Sequence, residues 1–191
     1  MSDPAADERE QFDVLAYLPE IGQISDENLR QAVIDIWHEM WEQTDWARVL
    51  DVAVGPDIAY PHLPHNRAII RIALAVADIW QEEHGIELDR DLLIAAAALQ
   101  DASKLVEYAP AGDGRVTFSE LGQNLPHAFW VAHLALNHGL SPSLCEILLN
   151  HTPQSARFPK TVIGKILYWV DQLDVIGIHG DRWRKDLFIT K

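Results

Sequence analysis

Cysteine is almost missing from this chain: Cys145 stands alone among 191 residues. A lone thiol excludes an internal disulfide framework and any cysteine-rich zinc site, and it suits a reducing compartment. Basic residues are scarce as well, 15 lysines and arginines against 29 aspartates and glutamates, for a formal charge of −14. Binding of DNA or RNA through a broad surface needs a basic face, so that mode is not expected, and a small anionic substrate would need local cations from side chains or metal. No stretch offers about 18 uninterrupted apolar residues, so no membrane-spanning helix is expected. The opening MSDPAADEREQFD is acidic and lacks the basic flank and apolar core of a signal peptide. A soluble, cytoplasmic protein is the expectation. Also missing are a GxSxG elbow and a phosphate-cradling glycine loop, so no serine nucleophile or P-loop chemistry is signalled.

What is present is helical periodicity nearly everywhere. SDENLRQAVIDIWHEMWEQ begins with cap-type Ser25 and Asp26, then places Leu29, Val33, Ile36, Trp37, Met40 and Trp41 at three- and four-residue steps. Residues 66–83 are apolar on most sides apart from Arg67, Arg71 and Asp78, and His84-Gly85 marks their end. DRDLLIAAAALQ has no polar face from Leu92 to Leu99, the pattern of a helix buried all round. APAGDGRVTFSELG carries the densest turn chemistry and predicts a mobile loop or short hairpin. Helical pattern resumes in PHAFWVAHLALNHG, in SPSLCEILLNH with Ser141 as cap, and in PKTVIGKILYWVDQLDVIG. The reading is an all-α, single-domain helical bundle over residues 16–191, preceded by an acidic, flexible segment 1–15. The tryptophans, including Trp37, Trp41, Trp80, Trp130 and Trp169, fall mostly on apolar stripes and are expected in the core. Trp130, close to His127 in sequence, is also a candidate wall of a pocket. The tail groups Arg182, Arg184 and Lys185 around Trp183, which suits docking on the protein's own acidic surface or formation of a homodimer.

The buried helix ends on Gln100 and Asp101, with Lys104 three residues on. An ionised aspartate there costs several kcal/mol unless paired or bound to a cation. Either the helix end surfaces, with Asp101 in water or against Lys104, or a metal compensates the charge. His84, His138 and His179 each precede a glycine and read as helix terminators. His38 and His133 sit on polar stripes, and His62 lies in the proline-punctuated YPHLPH. That leaves His65, His127 and His151 at helix starts or ends, where ligands from adjacent helices can converge on one point.

Read in order, His65, Gln100-Asp101 with Lys104, His127, His151 and Asp171 resemble the HD-domain superfamily of metal-dependent phosphohydrolases over about residues 60–176. HNRAIIRIA is similar to that family's opening helix, ALQDASKL to its His-Asp stretch with a following lysine, and LYWVDQLD to its last helix. The resemblance implies that His65, Asp101 and Asp171 hold a first divalent metal, and that Asp101 bridges to a second held by His127 and His151. Asp101 and Lys104 would be the catalytic pair. Read from its place on the glycine-rich loop, Arg115 could close over a small anionic substrate or simply be solvated, and His62 lies where it could approach that substrate without being a ligand. Gln100 stands where the family has a histidine; as a ligand its amide oxygen is a weaker, harder donor. The implied activity is hydrolysis of a small phosphoester or nucleotide by metal-activated water. The same ligand logic serves dinuclear iron oxygenases of this fold, and a third reading is a catalytically inactive metal- or ligand-binding domain.

Overall fold

The computed structural model describes residues 9–111 and 115–179. Its order is α1 (Val14–Tyr17), α2 (Glu27–Glu42), the β1–β2 hairpin (Ala53–Gly55, Ile58–Pro61), α3 (His62–His84), α4 (Arg90–Leu99) and α5 (Lys104–Glu107). There follow the β3–β4 hairpin (Tyr108–Pro110, Val116–Phe118), α6 (Glu120–Asn124), α7 (His127–Asn137), α8 (Pro142–Leu149) and α9 (Val162–Ile178). The domain is all-α, with two short antiparallel hairpins among the described residues.

The helices begin where cap residues place them. Asp26 accepts from the backbone N–H of Asn28 and Leu29, Asp89 from Leu92, Ser141 from Leu144 and Thr161 from Gly164. Gly85 ends α3 in the left-handed region at φ 65°, which any β-carbon would strain. Helix α4 is the centre of the core: every side chain from Leu93 to Leu99 is at most 1% exposed. Its alanines let α2 and α3 approach closely, and Trp37 Nε1 donates to the Ala98 carbonyl at 3.2 Å. Helix α9 lies against α3, and α7 pairs with α8.

Several sequence expectations change here. Helix α3 starts at His62 rather than near residue 66, because Pro64 sits in the first turn, where a missing N–H costs nothing. Phe12 and Val14, within the segment expected to be flexible, are buried, Phe12 against Trp37 and Trp41. Trp37, Trp41 and Trp46 are core, but Trp169 is 52% exposed on the outer side of α9, beside Leu173 and Val162, so apolar spacing alone misplaced it. In agreement with the short hairpin that was one expectation for the glycine-rich stretch, its described residues pair as β3 and β4, with Tyr108 opposite Phe118. Residues 1–8 and the basic tail containing Arg182, Arg184 and Lys185 lie outside the described residues.

Candidate metal centre

Five parts of the chain deliver their polar side chains to one place. His65 comes from the first turns of α3, Asp101 from the turn between α4 and α5 with Lys104 at the start of α5, His127 from the first residue of α7, His151 from the turn after α8, and Asp171 from α9. Ser103 Oγ donates to the His127 carbonyl at 2.7 Å, tying the start of α7 to the start of α5. Asp101, His65, His151 and Asp171 are all buried.

Asp101 stands between two groups. Its Oδ2 is 3.4 Å from His65 Nε2, which is in turn 3.3 Å from Asp171 Oδ1. Its Oδ1 is 3.5 Å from both His127 Nε2 and His151 Nε2, and those two nitrogens lie 3.3 Å apart. Each set of three donors falls within a compass that could hold a metal ion. Two donors each about 2.1 Å from a common cation, at a tetrahedral angle, stand about 3.4 Å apart, so the spacing fits ligation better than hydrogen bonding. Consistent with that, His65 Nε2 and Asp101 Oδ2 are buried without a hydrogen bond. The donor chemistry also fits: imidazole and carboxylate suit first-row divalent ions.

The histidines are oriented from behind. His65 Nδ1 donates to Asp174 Oδ2 at 2.7 Å, and His151 Nδ1 to the Leu148 carbonyl at 2.7 Å. His127 Nδ1 faces Glu107 Oε2 at 3.5 Å. Proton donation through Nδ1 leaves the Nε2 lone pairs of His65 and His151 pointing into the cluster, as ligating histidines require. Gln172 Nε2 similarly donates to Asp171 Oδ2 at 2.7 Å. Glu107 is itself fixed by close contact: a β-carbon on Gly122 of α6 would lie 2.1 Å from the Glu107 carbonyl oxygen.

The electrostatics call for a cation. Burial opposes charge on His65, but the neighbouring carboxylates of Asp101, Asp171 and Asp174 outweigh it and raise its pKa to about 10. Burial likewise pushes the Asp101 carboxyl up, yet Lys104, His151 and His65 hold it well below the usual range. In the metal-free protein the proton on His65 therefore takes the place of a cation among carboxylates. Metal and proton compete for Nε2, so affinity is expected to rise with pH up to about 10. Binding at pH 8 is expected to release about one proton per ion at the His65 group. Calorimetry in two buffers of different ionisation enthalpy measures this directly, and identical heats in both would show that no proton leaves.

Asp174 was not read from the sequence as functional, although it lies one helical turn after Asp171 in LYWVDQLD, a spacing that places both carboxylates on one face. Glu107 was missed too, and no local signal marked it. Asp174→Asn is expected to lower metal affinity by about 10–100-fold while leaving the helix intact, measured by metal titration and circular dichroism.

The remaining candidates are placed as follows. Gln100 is fully buried beside Asp101, and neither of its amide atoms makes a hydrogen bond. Lys104 Nζ is 3.2 Å from Asp101 Oδ2. His62 is fully buried, stacked on Trp37 at 5.8 Å, and burial depresses its pKa to about 3. A cavity of about 590 Å³ opens in front of the cluster, and His62, Arg115 and Trp130 are not among its lining residues. His138 ends α7 and pairs with Glu39 at 2.7 Å, and His133 meets Asn137 at 3.1 Å, both away from the centre.

Fold and site together define an all-α domain whose buried histidine and aspartate groups could hold a metal ion. Among curated proteins, a dihydroneopterin 2',3'-cyclic phosphate phosphodiesterase of Methanocaldococcus jannaschii is 27% identical to this chain over 165 residues. The match covers 80% of this chain and 65% of that protein's length, a little under two thirds. No family model matches the chain. No solved structure matches it either. Among the described residues, no helix is long and apolar enough to cross a membrane.

Proposed function

We propose that this chain is a metal-dependent phosphohydrolase of HD type that hydrolyses a small phosphoester. The observation that carries the reading is Asp101, whose two oxygens face two different sets of ligating atoms. One ion would sit with His65, Asp101 and Asp171, and a second with Asp101, His127 and His151. The name of the curated relative, a phosphodiesterase, supports the reaction class.

Divalent ions, when bound there, would activate water for attack and offset charge on the phosphoryl oxygens. The chain's own residues do the rest. Asp101 holds the two groups in register. Asp174 and the Leu148 carbonyl keep Nε2 of His65 and His151 directed inward. Lys104, which lines the cavity and pairs with Asp101, supplies a point charge for a phosphate oxygen. In the net reaction water oxygen bonds to phosphorus, one P–O ester bond breaks, and the leaving oxygen takes a proton.

Gln100 occupies the position of the histidine in the HD pattern, and its amide oxygen favours a harder ion such as Mn²⁺ or Mg²⁺ at the first group. The reducing setting that suits the buried Cys145 is in keeping with a cytoplasmic enzyme. The test is hydrolysis of bis(p-nitrophenyl) phosphate and a 2',3'-cyclic nucleotide by protein supplied in turn with Mn²⁺, Fe²⁺, Mg²⁺ and Zn²⁺. Turnover that a chelator abolishes supports the reading, and inactivity with every ion overturns it.

A further inference from the structure

Helix α9 is apolar on the side that faces solvent. Its exposed residues are Val162, Lys165, Trp169, Leu173, Ile176 and Gly177, and Lys165 is the one charged side chain among them. A surface helix ordinarily carries polar residues there, and a helix apolar all round is normally covered all round. The two carboxylates of α9, Asp171 and Asp174, point the other way, to His65 in the metal centre. Val162, Trp169, Leu173 and Ile176 are between 37% and 55% exposed. Phe158 widens the patch at one flank through Tyr168, whose ring stands 5.0 Å from Phe158 and 5.3 Å from Trp169. Together these groups expose about 450 Å² of apolar surface, the size of patch that on a monomer marks a contact site.

The spacing of the stripe fits a second copy of itself. Val162, Lys165, Trp169, Leu173 and Ile176 follow one another at steps of 3, 4, 4 and 3 residues. Their mean, about 3.5, is the period of a coiled-coil seam, so the stripe runs straight along a partner helix. The steps read the same from either end, with Trp169 in the middle. A second α9 laid antiparallel about a two-fold axis at Trp169 therefore meets its own pattern: Trp169 against Trp169, Lys165 against Leu173, and Val162 against Ile176. Charge agrees. Two chains of formal charge −14 repel each other, and this face brings no carboxylate to the contact. The basic tail is another available occupant, but Arg182, Arg184, Lys185 and Lys191 suit carboxylates, which the stripe lacks. Size agrees too. Seventeen residues make a ridge about 25 Å long, and with the Phe158 flank the contact covers about 600 Å² per chain, the lower bound for a specific interface. None of the five stripe residues lines the cavity in front of the metal cluster, so the pairing uses none of its walls.

We propose that this chain forms a two-fold homodimer through the outer face of α9, with the two helices antiparallel and crossing at Trp169. The inference is independent of the reaction and holds whether or not a phosphoester is hydrolysed. Trp169 is the anchor, a large aromatic at the centre of the contact. Lys165 lays its stem along Leu173 of the second copy and keeps its ammonium group in water at the rim.

The experiment is sedimentation velocity of the full chain at about 50 µM, above the micromolar dissociation constant that an interface of this size supports. Twice the 21.6 kDa chain mass is expected. The Trp169→Glu/Leu173→Glu variant is expected to sediment as a monomer, its dissociation constant raised at least about 100-fold. Both side chains are more than half exposed, so its helical circular dichroism should be kept. Disulfide trapping reads the register. Cys145 is buried and does not compete. Under mild oxidation with copper phenanthroline, Lys165→Cys/Leu173→Cys is expected to give covalent dimers, and Lys165→Cys alone to give none. The two positions lie about 12 Å apart along one helix, too far for an internal bridge. A parallel pair would cross-link Lys165→Cys alone, because position 165 then faces itself. A monomeric wild-type chain, the result if the tail or another protein covers the stripe, overturns the inference. So does a dimer that the double glutamate variant leaves intact. Cross-linking of Lys165→Cys alone, or none in the double-cysteine variant, overturns the antiparallel register.

Discussion

Asp101→Asn is expected to empty both metal groups at once. The substitution keeps the shape of the side chain but removes the one charge that the two groups share, since Oδ2 faces His65 and Oδ1 faces His127 and His151. Loss of an outer orienting partner costs about 10–100-fold in metal affinity, and loss of a shared ligand is expected to cost at least about 100-fold at each group. Hydrolysis should fall by about 1,000-fold or more, because the charge stabilisation that the site directs at the phosphoryl group goes with the ions. The metal-free fold is weakened as well. Lys104 is left buried without its carboxylate, and breaking a buried pair costs about 3–5 kcal/mol. Metal equivalents and thermal unfolding, measured together, separate the two effects. A variant that unfolds earlier but still takes up metal at wild-type affinity would show that Asp101 is a structural ion-pair partner only.

Lys104→Ala is expected to act on the reaction and to spare the metal. Its ammonium group competes with a cation for Asp101, so removing it should leave metal affinity equal or higher. A charge directed at the phosphoryl group contributes about 3 kcal/mol of transition-state stabilisation, equivalent to a fall of about 100–1,000-fold in kcat/KM. The measurement is a full kinetic profile on metal-saturated protein. Unchanged kcat/KM accompanied by a lower melting temperature would reduce Lys104 to a structural partner of Asp101.

Much of this arrangement was legible in the residues. The caps at Asp26, Asp89, Ser141 and Thr161 are local chemistry, which sequence spacing reports well. The unbroken apolar run from Leu92 to Leu99 foretold a helix buried all round, and from Leu93 to Leu99 α4 is buried on all sides. The convergence of His65, Asp101, His127, His151 and Asp171 was readable only as an ordered pattern along the chain, because no two of their separations obey a local helical rule. The orienting layer was less visible. Asp174 meets His65 across 109 positions of sequence, and Glu107 faces His127 through a contact made at the edge of a hairpin. Such partners are fixed by tertiary packing, which periodicity does not encode.

His62 shows the limit from the other side. Its place in YPHLPH suggested a residue facing substrate, yet α3 begins three residues before His65 and turns the ring onto Trp37. Helix phase decided its fate, and Pro64 in the first turn hid that phase. Trp169 misled for a related reason: an apolar residue at helical spacing reads as core, and α9 turns part of its apolar surface outward. The β1–β2 hairpin, too short to leave an alternating pattern, went unread as well.

The most direct test of the central claim is metal content, by plasma mass spectrometry, of the full chain purified without added metal and again after incubation with excess Mn²⁺ and desalting. The account predicts one to two equivalents in the incubated protein, with Gln100→His retaining at least as much and Asp101→Asn retaining none. A wild-type chain that keeps no divalent ion under either condition, while remaining folded, would contradict it.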